Sequence, residues 1–134
     1  MSQVEPTPKG RRIVVVDDEA DILLLVRTAL QSAGHEVATA SNGQDGLDLI
    51  RELRPDLVIL DIMMPDKSGL HVLREIKAND TTAAIPVIML TGLSERAKIQ
   101  EALDQGAEYY MVKPFEYNDL LGKVDLAMEN LEGL

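Results

Sequence analysis

The sequence contains no cysteine, which excludes a disulfide framework, a thiolate nucleophile and a cysteine-based metal site. No apolar run approaches the roughly 18 residues that a membrane-spanning helix needs. The first ten residues are polar and lack the apolar stretch of a signal peptide. These absences lead us to expect a cytoplasmic protein that does not insert into a membrane.

Basic residues are also scarce. The chain has 13 Lys and Arg against 23 Asp and Glu, which gives a formal net charge of −10 at pH 7. Direct binding to nucleic acid depends on Lys and Arg that neutralise phosphates, so the acidic balance argues against nucleic acid as a direct partner. The length of 134 residues and the apolar fraction of 46% allow one core. We expect a flexible lead-in over residues 1–10 and a single domain over residues 11–134.

Short apolar runs alternate with amphipathic helical patterns along the sequence. The apolar runs are continuous, which is typical of strands that helices cover on both faces. The pattern therefore predicts an α/β fold in which five βα units form a parallel sheet. The predicted strands cover residues 12–16, 36–40, 57–60, 86–90 and 109–112, and the helical patterns cover residues 22–33, 42–53, 69–77, 94–105 and those from 117 onward.

Polar residues follow four of the predicted strands. Right-handed crossovers bring the carboxyl ends of parallel strands to one edge of the sheet, where open α/β sheets hold their sites. Each residue has an ordinary explanation when taken alone, since Asp17 or Asp18 can cap the first helix and Lys113 can be a surface lysine. Because all of these residues are expected at one edge of the sheet, a functional site is favoured over the separate ordinary explanations. The residues at the strand ends are Asp17-Asp18-Glu19, Asp61, Thr91-Gly92 and Lys113-Pro114.

This set of side chains suits the transfer of a phosphoryl group to a carboxylate. Clustered carboxylates repel one another unless a cation lies among them, and Mg²⁺ prefers one or two carboxylates together with water and phosphate oxygens. A carboxylate can act as a nucleophile and form an acyl phosphate, and the transfer needs positioning and neutralised charge. Asp18 and Asp61 would hold Mg²⁺ on one side of the phosphoryl group, and Lys113 would cover another side. The hydroxyl of Thr91 would donate a hydrogen bond to a phosphoryl oxygen.

From about Arg12 to Leu131, the chain resembles the receiver domain of response regulators, including the single-domain chemotaxis regulators. Any one of the matching motifs would be a weak signal alone, whereas their order and spacing together are highly specific. The resemblance implies a flavodoxin-like, doubly wound parallel sheet of five strands in the order 2-1-3-4-5. The matching motifs are Asp17-Asp18, the segment Asp61-Ile62-Met63-Met64-Pro65-Asp66-Lys67-Ser68-Gly69, Thr91-Gly92 and Lys113-Pro114-Phe115.

The resemblance implies that Asp61 is the phosphoacceptor. It also implies a site for Mg²⁺, or another divalent cation such as Mn²⁺, with Asp18 and Asp61 as direct ligands. Asp17 would bind the ion through water, and the main-chain carbonyl of Met63 would complete the protein ligands. Lys113 would pair with the phosphoryl group, and its bond to the following proline would be cis.

Thr91 and Tyr110 match the switch pair of that family. Thr91 would move toward the phosphoryl group, and Tyr110 would turn inward to fill the space that Thr91 leaves. The alternative for Tyr110 is an ordinary half-buried aromatic residue on a strand. The added charge would thereby change the face built by the fourth helix, the fifth strand and the fifth helix.

The resemblance implies a signalling switch rather than an enzyme. Its donor would be a phosphohistidine on a histidine kinase or histidine phosphotransfer protein. If the chain is complete, its output would be binding to a downstream effector protein or passing the phosphoryl group onward. If the chain was excised from a larger protein, the output domain is missing from this sequence. The switch would catalyse only its own phosphoryl transfer and a slow self-dephosphorylation, because Met63 and Leu93 are apolar at the positions where the family varies most. We expect a monomer or a phosphorylation-dependent dimer.

Three rival functions stay open on the sequence. A phosphatase of the haloacid-dehalogenase type needs an Asp two residues after the nucleophile, and this position is Met63. A nucleotide or flavin module needs a glycine-rich phosphate loop after the first strand, and this loop is acidic. A receiver-like scaffold that takes no phosphate usually lacks an acid or the lysine, and this chain keeps both.

Three residues outside the strand ends also carry an expectation. Leu24 lies off the apolar stripe of the first helix and is expected to be exposed. An exposed leucine is usually unremarkable, and the alternative is a docking contact for the phosphodonor. We expect His35 and His71 to lie at the surface.

Overall fold

The computed structural model describes residues 11–92 and 96–132, with side chains described up to residue 129. Five strands and five helices alternate within these residues, as the sequence predicts. The lead-in expected over residues 1–10 lies outside the described residues. The elements are β1 (Arg12–Val16), α1 (Ala20–Ser32), β2 (Glu36–Ala40), α2 (Gly43–Leu53), β3 (Leu57–Asp61), α3 (Gly69–Ala78), β4 (Val87–Thr91), α4 (Arg96–Asp104), β5 (Tyr109–Val112) and α5 (Tyr117–Glu132).

The strands form one parallel sheet in the order β2-β1-β3-β4-β5. This order confirms the expected flavodoxin-like, doubly wound topology. The pairing places Val16 beside Leu60, Asp61 beside Leu90, and Thr91 beside Val112. The carboxyl ends of β1, β3, β4 and β5 therefore lie side by side at one edge.

Two apolar clusters cover the two faces of the sheet. Successive strand residues point to opposite faces, so Val14 belongs to one cluster and Val15 to the other. Helices α2, α3 and α4 contribute buried residues to the first cluster, and α1 and α5 contribute to the second. This double burial accounts for the continuous apolar runs of β3 and β4, in which every residue is buried. Among the described residues, no helix is long and apolar enough to cross a membrane.

Local signals in the sequence set several of the helix ends. The side chain of Asn42 caps α2 by accepting a hydrogen bond from the main-chain N–H of Asp45 at 2.8 Å. Gly34 and Gly106 follow α1 and α4 with φ angles of 95° and 108°, a region that favours glycine. Asn42 thus marks the start of α2, and the two glycines mark the ends of α1 and α4.

A few boundaries differ from the sequence-based expectation. Strand β4 begins one residue later than expected, at Val87, and the expected start of α4 near Ser94 lies outside the described residues. Leu24 is 65% exposed, as expected. His35 is partly exposed, in line with the expected surface position, and its Nδ1 accepts a hydrogen bond from the N–H of Arg11 at 3.1 Å. Burial lowers the pKa of His35.

Candidate functional site

Three polar side chains are buried where the strands end. Asp17 directly follows β1 and is 0% exposed, Asp61 closes β3, and Thr91 closes β4. The ordinary capping explanation for the first acids does not hold, because the N-cap of α1 is Glu19 and its side chain makes no capping bond. Burial of ionisable groups at a sheet edge costs free energy, so such groups mark a candidate site.

Lys113 brings these acids together. Its main-chain N–H donates to the carbonyl of Thr91 at 2.8 Å, which holds the residue at the end of β5. Its ammonium lies 2.9 Å from Oδ2 of Asp17, 2.8 Å from Oε1 of Glu19 and 3.4 Å from Oδ1 of Asp61. The side chain is only 16% exposed, so Lys113 is not the surface lysine of the ordinary explanation.

The carboxylates of Asp17, Asp18 and Asp61 are arranged as a divalent cation would need. Each offers one oxygen, and these oxygens lie within 4.8 Å of one another. Asp17 uses Oδ1 to accept the N–H of Glu19 at 2.8 Å. Its other oxygen, Oδ2, accepts no well-aligned hydrogen bond from the described residues although it is buried and near the ammonium. A buried carboxylate oxygen with spare capacity beside two further carboxylates fits Mg²⁺.

Burial dominates the electrostatics of these acids. Burial and, after it, the neighbouring charge of Asp17 together raise the pKa of Asp61 to about 7, while the charge of Lys113 opposes the shift. Burial also raises the pKa of Asp17, against the hydrogen bond from Glu19 and the contact with Lys113. For Lys113, burial lowers the pKa, but the bonds to Glu19 and Asp17 outweigh it and the pKa is raised overall. Lys113 is therefore a fixed positive charge beside an acid whose ionised form is disfavoured.

A cavity of about 330 Å³ opens beside Asp61. Its walls carry both signs of charge and leave space for a small anion at the carboxylate. A larger groove of about 580 Å³ lies away from the acids, along β5 and the start of α5, and Tyr110 and Phe115 line it. The residues that line the smaller cavity are Asp18, Glu19, Asp61, Met63, Gly92 and Lys113.

The loop between β3 and α3 carries Met63 past this cavity. The N–H of Gly69 donates to the carbonyl of Ile62 at 2.8 Å and closes the loop. A side chain at Gly69 would collide with the main chain of Asp61, which explains glycine at this position. The loop is also fixed to α2, because the carboxylate of Asp66 accepts the main-chain N–H of Gly43 at 3.0 Å.

The expected switch residues lie on neighbouring strands. Thr91 is buried, and its hydroxyl donates to the carbonyl of Gly92 at 3.1 Å. Tyr110 pairs with Met89 and lies two residues before Val112, which pairs with Thr91. Tyr110 is 40% exposed. This exposure also fits the alternative explanation of a half-buried aromatic residue on a strand, so both explanations stay open. The peptide bond from Lys113 to Pro114 is cis, as expected, and Leu93 lies outside the described residues.

Two residues of the site had no assigned role in the sequence. Glu19 stands in the acidic run after β1, but its contact with Lys113 spans 94 residues and no local spacing indicates it. Asp66 lies within the matching segment, yet its partners at the start of α2 precede it by 22 and 23 residues. An acid is favourable near a helix N-terminus, but the sequence does not indicate which helix is near.

Known proteins resemble this chain over most of its length. A family profile described as "Response regulator receiver domain" matches residues 13–134. The phosphate regulon transcriptional regulatory protein PhoB of Pseudomonas aeruginosa is 38% identical over 115 residues, which cover 86% of this chain and 50% of PhoB. The chain spans about half the length of curated relatives that it matches, including PhoB and MtrA.

Solved structures agree with these sequence matches. A response regulator receiver domain protein from Clostridium thermocellum has a TM-score of 0.84 at 36% identity, with 90% of this chain and 96% of that chain covered. The chemotaxis protein CheY4 of Vibrio cholerae has a TM-score of 0.83 at 31% identity, with 88% and 98% covered. Both coverages show that the similarity extends over the whole of those two chains.

Proposed function

The chain belongs to the response regulator receiver domain family of two-component signalling, and from this membership we propose that it is a switch in which Asp61 accepts a phosphoryl group from a phosphohistidine. The observation that carries the proposal is the contact between Lys113 and Asp61. A buried carboxylate lies 3.4 Å from a lysine ammonium and opens onto a cavity. An acceptor needs this combination of a nucleophilic oxygen, a nearby positive charge and space for the phosphoryl group.

The proposed transfer is a displacement at phosphorus. A carboxylate oxygen of Asp61 attacks the phosphorus of the phosphohistidine, and a P–O bond forms as the P–N bond breaks. The electron pair of the P–N bond goes to the imidazole nitrogen of the donor. Lys113 stabilises the negative charge on the phosphoryl oxygens, and the hydroxyl of Thr91 exchanges its bond to Gly92 for one to a phosphoryl oxygen.

We further propose that this site binds Mg²⁺ or another divalent cation such as Mn²⁺. Asp18, Asp61 and the main-chain carbonyl of Met63 would be direct ligands, and Asp17 would bind through water. When bound, the cation supplies positive charge that neutralises the phosphoryl oxygens. The three carboxylate oxygens that lie within 4.8 Å of one another support this assignment, as does Oδ2 of Asp17, which accepts no well-aligned hydrogen bond from the described residues.

The proposed output is a change in the face formed by α4, β5 and α5. An aspartyl phosphate carries about −1.5 to −2 charges at the buried end of β3, in place of the single charge of the carboxylate. If Thr91 moves toward that charge, space opens behind it, and the exposed ring of Tyr110 can turn inward to fill it. Such a local change shifts the balance between two packing arrangements of a surface. The groove of about 580 Å³ beside Tyr110 supports this face as the one that an effector reads.

The proposed partners follow from this role. A histidine kinase or histidine phosphotransfer protein would supply the phosphoryl group, and a downstream effector protein or a relay partner would receive the signal. The single receiver domain over residues 11–134, the monomer or phosphorylation-dependent dimer, the cytoplasmic location and the lack of direct contact with nucleic acid stay predictions. A slow self-dephosphorylation is also predicted, because the side chain of Met63 at the cavity cannot orient water by hydrogen bonding.

Intact-mass measurement tests the proposed function. The protein is incubated with acetyl phosphate with and without Mg²⁺, beside an Asp61→Asn variant. In the parent, P–O bond formation at Asp61 releases acetate, so the mass should rise by one phosphoryl group only when Mg²⁺ is present. The variant should show no gain. No gain in the parent, even with a phosphohistidine donor, would favour the rival scaffold that takes no phosphate.

A further inference from the structure

Glu19 has no part in the proposed phosphoryl transfer, yet its carboxylate makes the shortest contact of Lys113. The ammonium donates a hydrogen bond to Oε1 of Glu19 at 2.8 Å, compared with 3.4 Å to Oδ1 of Asp61. Glu19 occupies the N-cap of α1 without using its side chain for capping. The side chain instead reaches from the start of α1 to the end of β5 and lines the cavity beside Asp61.

Three carboxylates surround the ammonium of Lys113, and the contact with Glu19 is a well-aligned hydrogen bond. The ammonium has three N–H donors, and three carboxylates, from Asp17, Glu19 and Asp61, lie within 3.4 Å of it. A phosphoryl group that arrives on Asp61 needs at least one of those donors. One existing contact must therefore weaken when the phosphoryl group arrives.

Burial decides which contact is given up. Asp17 is fully buried, and the loss of its counter-ion would leave an uncompensated buried charge, which costs several kcal/mol. Glu19 is 58% exposed, so its carboxylate can return to water, and an exposed ion pair contributes little to stability. Release of Glu19 is therefore the low-cost exchange.

We propose that Glu19 is a positioning residue that holds the ammonium of Lys113 in the unphosphorylated protein and competes with the phosphoryl group for it. This inference rests on the proposed function and concerns how readily the same site accepts its ligand. The carboxylate of Glu19 stabilises the empty arrangement of Lys113, and its release accompanies phosphorylation. Glu19 thus sets how strongly the site favours its unphosphorylated state.

The test uses a matched pair of variants. Glu19→Gln removes the negative charge but keeps the size of the side chain. Asp21→Asn makes the same change of charge in the first turn of α1, where the described interactions of Asp21 include none with Lys113. Both residues are exposed, so both variants are expected to fold like the parent, which an amide NMR spectrum verifies.

Two readouts separate positioning from a general effect of charge. The first is the NMR chemical shift of the Lys113 side chain in protein without cation or phosphoryl mimic, which should change in Glu19→Gln and stay unchanged in Asp21→Asn. The second is the concentration of beryllofluoride, a phosphoryl mimic, that half-saturates the protein with Mg²⁺ present. It should fall about two- to fivefold in Glu19→Gln, the range that an exposed ion pair supports. In Asp21→Asn, the half-saturating concentration should change by less than half as much.

Each outcome bears on the proposal. Equal changes of both readouts in the two variants would mean that charge at a distance causes the effect. That result would overturn the competition for Lys113. An unchanged half-saturation in Glu19→Gln, with beryllofluoride binding intact in the parent, would overturn the role of Glu19 and leave the proposed function standing. Failure of the parent to bind beryllofluoride and to gain a phosphoryl group from any donor would overturn the proposed function and this inference with it.

Discussion

Asp17 and Lys113 lie at opposite ends of the chain and form a buried ion pair, with 2.9 Å between Oδ2 and Nζ. Lys113 is the described cation that compensates both Asp17 and Asp61. The ion pair forms because the parallel register brings the ends of β1, β3 and β5 to the same edge of the sheet. Much of the chemistry and part of the stability of the fold therefore depend on one ammonium group.

Replacing Lys113 with methionine should destabilise the protein without Mg²⁺. The variant keeps most of the side-chain volume but leaves the buried carboxylates of Asp17 and Asp61 without a counter-ion. Breaking a buried pair in this way costs about 3–5 kcal/mol, so the free energy of unfolding should fall by about 3 kcal/mol at pH 7. Urea denaturation measures the change. A loss below 0.5 kcal/mol, the usual range for a surface substitution, would contradict the assigned role of the pair.

Replacing Asp61 with asparagine should have the opposite effect on stability. The change removes a carboxylate whose ionised form is disfavoured by burial and by Asp17. The free energy of unfolding without Mg²⁺ should therefore rise by about 1–3 kcal/mol at pH 7, whereas Asp21→Asn should stay within about 0.5 kcal/mol of the parent. Thermal and urea unfolding of the three proteins check this order.

Addition of Mg²⁺ should reduce the difference in the free energy of unfolding between the parent and Asp61→Asn. A cation that binds the folded state alone stabilises it by about 2.7 kcal/mol at one hundred times its dissociation constant. The parent should therefore gain stability as the Mg²⁺ concentration rises, and Asp61→Asn should gain less because it lacks one carboxylate ligand. Equal gains in the two proteins would mean that Asp61 does not bind the cation.

Asp66 gives a prediction about pH. The hydrogen bonds from the main-chain N–H groups of Gly43 and Gln44 to its carboxylate lower the pKa of Asp66. A lowered folded-state pKa contributes stability above the unfolded-state pKa of about 3.9, and this contribution is lost as pH falls through the folded-state value. Asp66→Ala should therefore cost about 1 kcal/mol at pH 7, comparable to the loss of a helix cap.

The pH profile distinguishes charge from packing at this position. The difference between the parent and Asp66→Ala should be constant from pH 7 to pH 5 and should shrink as the carboxylate becomes protonated near pH 3. Asp66→Asn should keep part of the stability, since its side-chain oxygen still accepts a hydrogen bond. Urea denaturation at the three pH values provides the comparison, and an equal cost of Asp66→Ala at pH 3 and pH 7 would rule out the carboxylate as the cause.

Thr91→Ala should separate phosphorylation from its consequence. The variant keeps Asp61, Lys113 and the acidic cluster, so it should still gain a phosphoryl group. Without the hydroxyl that moves toward the phosphoryl group, the amide NMR shifts of β5 around Tyr110 should change less than in the parent on phosphorylation.

The control for this prediction is Thr82→Ala. Thr82 is also buried, but its hydroxyl donates to the carbonyl of Ile76, outside the site. This variant should be less stable and should show the full response at Tyr110. If Thr91→Ala responded as fully as the parent, the proposed coupling between Thr91 and Tyr110 would be wrong.

The fold and the members of the site were predictable because their signals are local. The apolar runs before Asp61 and Thr91 identify strands buried on both faces, and parallel topology then requires their ends to meet. Glu19 and Asp66 were not predictable in this way, since each contacts a partner that only the tertiary fold brings near. The hydrogen bond from the main-chain N–H of Arg11 to His35 was not predictable for the same reason, because it joins residues that are 24 positions apart.

The central claim is that Asp61 carries the phosphoryl group, and reductive trapping tests it most directly. The protein is treated with acetyl phosphate and Mg²⁺ and then with borohydride, which converts an aspartyl phosphate into homoserine, and the digested peptides are sequenced by mass spectrometry. Our account predicts homoserine at position 61 alone, with Asp17 and Asp18 unchanged. Homoserine at position 17 or 18, or its absence from protein that has gained a phosphoryl group, would contradict the account.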